Sequence, residues 1–162
     1  MGFLKGIFGG KGGIKISAPC AGRLKALQEV KDPTFSAGIL GQGVAIVPSD
    51  GMFYAPADGV VATLFPTGHA AAIKTTEDAE VLLHIGLDTV KLNGKYFTIY
   101  VEEGQQVKKG DLLLEADLEE IAKAGYDLAT PIVISNSDTF DKIETTGEGE
   151  VSAGDEILRL IR

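Results

Sequence analysis

The chain has 162 residues, 44% of them hydrophobic, which is enough for one domain with a sizeable core, and its composition is unlike that of a disordered segment. A net charge of −8 and a pI near 4.7, with no long basic tract, exclude a sequence-independent grip on nucleic-acid phosphates. The lone cysteine, Cys20, has no partner for an internal disulfide and no secretory signal with a long apolar core precedes it, so a reducing cytoplasm is expected.

At the N-terminus, Phe3, Leu4, Ile7 and Phe8 are spaced to form a short apolar stripe, but the interspersed glycines weaken any helix, and residues 1–13 are expected to be a mobile tail. From Ile14 onward a single domain is expected over residues 14–162. Runs rich in Val, Ile, Leu and Phe (IKISAP, GRLKAL, GVAIVPSDG, GMFYAP, GVVATLF, AAAIKT, EVLLHI, FTIYV, DLLLEAD, PIVISN and EILRLI) alternate with Gly, Pro, Asn and Asp. This predicts an all-β fold, an antiparallel β-sandwich or distorted barrel with short connecting helical turns. Two short echoes suggest hairpin elements used twice: Ala18-Pro19-Cys20-Ala21-Gly22 with Ala55-Pro56-Ala57-Asp58-Gly59, and Val107 to Asp111 with Val151 to Asp155. One helical segment is expected after Asp117, which with Glu120 resembles a capping box; Leu118, Ile121 and Ala122 give its apolar face and Gly125 its stop.

The two histidines, His69 and His84, fall in strands that flank the polar turn Thr75-Thr76-Glu77-Asp78. If Lys74 pairs with Ala79, the same antiparallel register sets His69 directly opposite His84, on one face of the sheet. A slip of one residue would separate the rings. Paired imidazoles suit metal binding, proton transfer or phosphoryl chemistry. The Gly86 carbonyl, just past the second histidine, could accept a hydrogen bond from one ring nitrogen and leave the other as a nucleophile. Thr67 could orient His69; Asp88 and Thr89 are weaker supporting candidates. No phosphate-cradling Gly-x-x-x-x-Gly-Lys-Ser/Thr motif occurs, which argues against direct use of a nucleoside triphosphate.

An ordered series of segments then carries a resemblance: Asp32-Pro33-Thr34-Phe35, Gly41 to Ile46, Ala55 to Gly59, Phe65-Pro66-Thr67-Gly68-His69-Ala70, Leu82-Leu83-His84-Ile85-Gly86-Leu87-Asp88-Thr89-Val90, and Thr130 to Asn136. With them the chain resembles the glucose-family enzyme IIA component of the bacterial phosphoenolpyruvate-dependent sugar phosphotransferase system. The resemblance implies that His84 takes a phosphoryl group through Nε2 from the histidine-phosphorylated carrier HPr and passes it to a cysteine in the IIB domain of a sugar permease. His69 would steady the phosphoryl oxygens, Thr67 would orient the His69 ring, and the Gly86 carbonyl would fix the tautomer of His84. Phe35, Ile39, Val44, Phe65, Leu82 and Val90 would form an apolar collar for partners, and Asp88 would face a basic partner residue.

The resemblance further implies a cytoplasmic monomer that reaches the membrane only through its permease, with glucose or a related sugar as cargo and regulatory proteins as possible further partners. No cofactor is expected, and two histidines are too few ligands for an independent zinc site. A lysostaphin-like zinc peptidase is a rival reading that lacks its His-x-His pair. A biotinyl or lipoyl carrier is another that lacks a lysine in its usual setting.

Overall fold

The computed structural model describes residues 13–162. The expected tail and its apolar stripe therefore lie, but for Gly13, outside the described residues. The fold is built from antiparallel strands, as predicted: β1 (Ile14–Ser17), β2 (Gly22–Ala26), β3 (Gln42–Pro48), β4 (Met52–Tyr54), β5 (Gly59–Leu64), β6 (Ala70–Thr75), β7 (Glu80–His84), β8 (Phe97–Ile99), β9 (Gln106–Val107), β10 (Leu112–Ala116), β11 (Thr130–Ile134), β12 (Lys142–Thr145), β13 (Gly149–Val151) and β14 (Glu156–Ile161). They form one sheet in the order β13-β2-β3-β11-β7-β6-β5-β9 and two small ones, β1-β14-β12 and β4-β10-β8. All eleven apolar runs become strands. The three that the pattern misses, β9, β12 and β13, are short, polar and at sheet edges, where one-sided pairing leaves little apolar signal.

Alternation along the large sheet separates two apolar layers. Val44, Ile46, Ile73, Val81, Leu83, Ile85, Ile132 and Ile134 point inward into the main core with Phe53, Leu113, Leu114 and Leu158. On the opposite face, Ala45, Leu82 and Val133 pack under Leu27, Val30 and Phe35, residues of the segment that links β2 to β3. That segment holds α1 (Pro33–Ser36), capped by the Asp32 carboxylate on the Thr34 amide at 3.0 Å, with Pro33 in the first turn. The expected helix forms as α2 (Leu118–Lys123), its Asp117 carboxylate accepting from the Glu120 amide at 3.2 Å.

The sequence echoes correspond to a duplicated backbone arrangement. The Tyr54 amide donates to the Pro19 carbonyl (2.8 Å) and the Ser17 amide to the Pro56 carbonyl (2.9 Å). Likewise the Ala18 and Ala55 amides donate to Asp155 and Asp111, while Gly154 and Gly110 return bonds to Ala18 and Ala55. In each echo a carboxylate closes the turn, Asp111 on the Lys108 amide and Asp155 on the Ser152 amide, both at 2.8 Å.

The β6–β7 register differs from the expected one by a residue. Lys74 pairs with Glu80, and His84 faces Ala70 rather than His69. Thr75 is part of the ladder and not of the loop: its amide donates to the Ala79 carbonyl and its hydroxyl accepts from the Ala79 amide at 3.0 Å. Three residues remain in the turn, with Asp78 left-handed at φ 68°, the geometry of a three-residue hairpin loop. Asp78 is solvent-exposed, so its backbone conformation dominates the effect of replacing it. Asp78→Val is expected to cost about 1–2 kcal/mol, since a β-branched residue is strained there, and to lower the melting temperature by about 2–8 °C. Asp78→Gly should leave the melting temperature unchanged or raise it; equal melting of the two variants would contradict this loop.

Candidate active site

His84 is the last residue of β7 and lies on the same face as Leu82, outside the main core. His69 belongs to no strand. It closes the turn Pro66-Thr67-Gly68-His69 that joins β5 to β6, bounded by the Phe65 amide on the Ala70 carbonyl at 3.1 Å. Gly68 makes that turn possible at φ 75°, its amide donating to the Phe65 carbonyl at 2.8 Å. Because strand alternation does not bind a turn residue, His69 can swing its ring toward His84 despite the register. The ring centroids are 5.0 Å apart, nearly perpendicular at 83°. A backbone bond ties the two segments together, the Ile85 amide donating to the His69 carbonyl at 2.7 Å.

Each imidazole is oriented through Nδ1. In His84, Nδ1 lies 2.7 Å from the Gly86 carbonyl oxygen. A carbonyl can only accept, so the hydrogen sits on Nδ1 and the neutral ring carries its lone pair on Nε2. Gly86 adopts φ 74°, and a side chain there would press on the Thr89 methyl. In His69, Nδ1 lies 2.5 Å from the Thr67 hydroxyl, which can donate and leave the hydrogen on Nε2. Among the described residues neither Nε2 has a hydrogen-bond partner, and no buried side-chain nitrogen or oxygen lacks one. Both Nε2 atoms therefore reach the surface, although His69 is only 2% exposed.

The surroundings keep both rings neutral. Burial, reinforced by His84 nearby, lowers the pKa of His69 to about 4. Burial also lowers that of His84, against the opposing pull of the Gly86 carbonyl and of the Asp32 and Asp88 carboxylates. The result is one imidazole with a free nucleophilic nitrogen beside a second able to present an N–H donor. Cys20, by contrast, is sealed in the core with its thiol pushed up to about 12, largely by burial.

The predicted apolar collar divides. Phe35 packs its ring on His84 (5.1 Å between centroids) and Phe65 on His69 (5.2 Å). Phe65, Val90 and Ile39 are exposed by 39%, 49% and 73%, Leu82 is half-buried and Asp88 is exposed. Val44 does not belong with them. It lies on the inward face of β3, 3% exposed in the main core, and offers no side chain to a partner. Its neighbour Ala45 is the outward residue, a distinction that strand parity alone carries. Phe35 is likewise buried and meets His84 rather than solvent. Leu40, which no sequence motif singles out, is exposed beside Ile39.

Residues 14–140 match the family model for the phosphoenolpyruvate-dependent sugar phosphotransferase system, EIIA 1. The chain is 47% identical over 148 residues to the PTS system β-glucoside-specific EIIBCA component of Halalkalibacterium halodurans, covering 91% of this chain and 23% of that protein. It thus spans about a quarter of the length of such multidomain relatives. It is 42% identical to the PTS system glucose-specific EIIA component of Bacillus cereus, covering 90% of this chain and 88% of that one. Among solved structures, glucose permease IIA from Mycoplasma capricolum superposes with a TM-score of 0.83 at 39% identity, covering 91% of this chain and 96% of that one. A family match over most of the described chain and close relatives of nearly its own length agree: the chain belongs to the EIIA 1 family of the phosphoenolpyruvate-dependent sugar phosphotransferase system.

Proposed function

We propose that the chain is a phosphocarrier that accepts a phosphoryl group on His84 Nε2 from phospho-HPr and delivers it to a cysteine of a permease IIB domain. The observation that carries the reading is the Nδ1–H bond from His84 to the Gly86 carbonyl, which leaves Nε2 as the lone-pair nitrogen. In the acceptance step the Nε2–P bond forms as the donor's N–P bond breaks, and the donor imidazole leaves with its electron pair. Delivery reverses the roles, the cysteine thiolate attacking phosphorus while His84 recovers its lone pair. Such transfer depends on alignment and on charge stabilisation at the phosphoryl oxygens.

His69 supplies that stabilisation, with the Thr67 hydroxyl donating to Nδ1 so that Nε2–H faces the phosphoryl group. Phe65, Ile39, Leu40 and Val90 give the surroundings an exposed apolar rim suited to a protein donor and acceptor. The relatives whose names join EIIA to the B and C components favour a sugar permease as the acceptor. Glucose and β-glucosides both appear among their named sugars, and in this reading selection between them falls to the permease.

Labelling driven by phosphoenolpyruvate, enzyme I and HPr tests the roles. His84→Ala should abolish acid-labile labelling, and His69→Ala should accept phosphate but deliver it to a IIB domain at least 100-fold more slowly, the scale on which loss of a charge-stabilising donor acts. Undiminished labelling of His84→Ala contradicts the assignment of the nucleophile.

Proton competition gives a second test. Both rings have folded pKa values below the ordinary 6.5, so between 6.5 and the folded values the unfolded chain binds protons that the folded one rejects. Stability from these groups is complete above pH 6.5 and falls as pH drops through that window. An NMR titration should find the His69 midpoint near 4 and that of His84 below 6.5, so that Nε2 stays available in mildly acid solution. Midpoints at or above 6.5 for both rings would contradict this electrostatic account.

A further inference from the structure

Gly86 holds the carbonyl on which His84 depends, yet a glycine is the residue least able to hold its own backbone. Two peptide planes meet at it. The plane that follows is fixed by His84 Nδ1 on the Gly86 oxygen and, at its other end, by the Leu87 amide on the Asp127 carbonyl at 3.0 Å. The plane that precedes it, Ile85–Gly86, is held by two threonine hydroxyls. Thr89 Oγ1 donates to the Ile85 carbonyl at 2.5 Å, and the Gly86 amide donates to Thr130 Oγ1 at 3.4 Å. Thr130 spends its own hydroxyl proton on the Leu128 carbonyl at 2.9 Å, which leaves its oxygen to accept.

Both threonines are 0% exposed, so water cannot replace either bond. The Thr89 methyl also fills the space beside Gly86, within 2.7 Å of where a Cβ would stand. The clamped peptide adjoins both histidines, because the Ile85 amide, in the His84–Ile85 peptide just before it, is bonded to the His69 carbonyl. Thr89 comes from the short turn after the site and Thr130 from the start of β11, so two separate elements grip one peptide.

We infer that Thr89 and Thr130 are positioning residues which, by clamping the two ends of the Ile85–Gly86 peptide, hold the Gly86 carbonyl on His84 Nδ1 and so keep Nε2 as the reactive nitrogen. The inference rests on the phosphocarrier reading only for its kinetic consequence. Neither threonine touches the reacting atoms. A valine at either position keeps the shape and removes the hydroxyl, whereas a serine keeps the hydroxyl.

The test reads the tautomer directly, by 15N NMR of the His84 ring in protein labelled at histidine. Wild type should show hydrogen on Nδ1 alone. Thr89→Val and Thr130→Val should give a mixture of tautomers and accept phosphate about tenfold more slowly, as loss of a partner that orients an imidazole does elsewhere. Thr89→Ser should restore the single tautomer and most of the rate. Folded valine variants that both keep the Nδ1–H tautomer and the wild-type rate would overturn the inference. Hydrogen exchange in the wild-type protein covers the case in which the valine variants do not fold. The clamp requires a strongly protected Gly86 amide, and exchange at the rate of an exposed loop would overturn it. Because tautomer and protection are read without phosphate, wild type that never accepts phosphate yet shows both would refute the phosphocarrier reading while leaving the clamp standing.

Discussion

One hydrogen bond, from His84 Nδ1 to the Gly86 carbonyl, organises the site. A free imidazole exchanges its proton between two nitrogens, and a nucleophile defined by one of them needs the other occupied. The carbonyl does this without adding a titratable group. It requires a left-handed glycine just after a strand, and the 85–87 backbone is correspondingly well tied down, with Ile85, Gly86 and Leu87 amides all bonded. Rigid backbone therefore does the work that in many imidazole sites falls to a carboxylate.

The large sheet lets this site coexist with a stable core. Odd residues of β7 enter the main core and even ones face outward, so Val81 and Leu83 anchor the strand while Leu82 and His84 meet the smaller layer beneath Phe35. β7 lies between β11 and β6, paired on both sides, which leaves His84 little freedom at the end of its strand. His69 comes from the adjoining turn, and its burial keeps the ring uncharged beside its neighbour.

Much of this was legible in the sequence. Apolar runs between turn residues gave every long strand, and the glycine after Leu82-Leu83-His84-Ile85 pointed to the carbonyl partner. The histidines do converge, but not through the register that the sequence pattern predicts. Direct cross-strand pairing requires a four-residue loop, whereas Thr75 joins the ladder and Asp78 takes a left-handed conformation, which shifts the register. The rings meet because a turn residue is released from strand parity, a property of three-dimensional turn geometry that composition does not reveal. Val44 shows the complementary error: its apolar character fits a docking rim or a core equally well, and only its parity with Ile46 assigns it inward. Thr89 is a weak candidate in the sequence because Asp followed by Thr is common turn chemistry, and no local pattern links it to Thr130, 41 positions away.

The most direct measurement is the site of attachment in the phosphorylated protein, read from 15N–31P coupling with histidine labelled in the ring. Coupling to Nε2 of His84, with the hydrogen still on Nδ1 and still bonded to Gly86, is the predicted result. Phosphorus on Nδ1, or on His69, would contradict the account, because the carbonyl would then not be selecting the nucleophile.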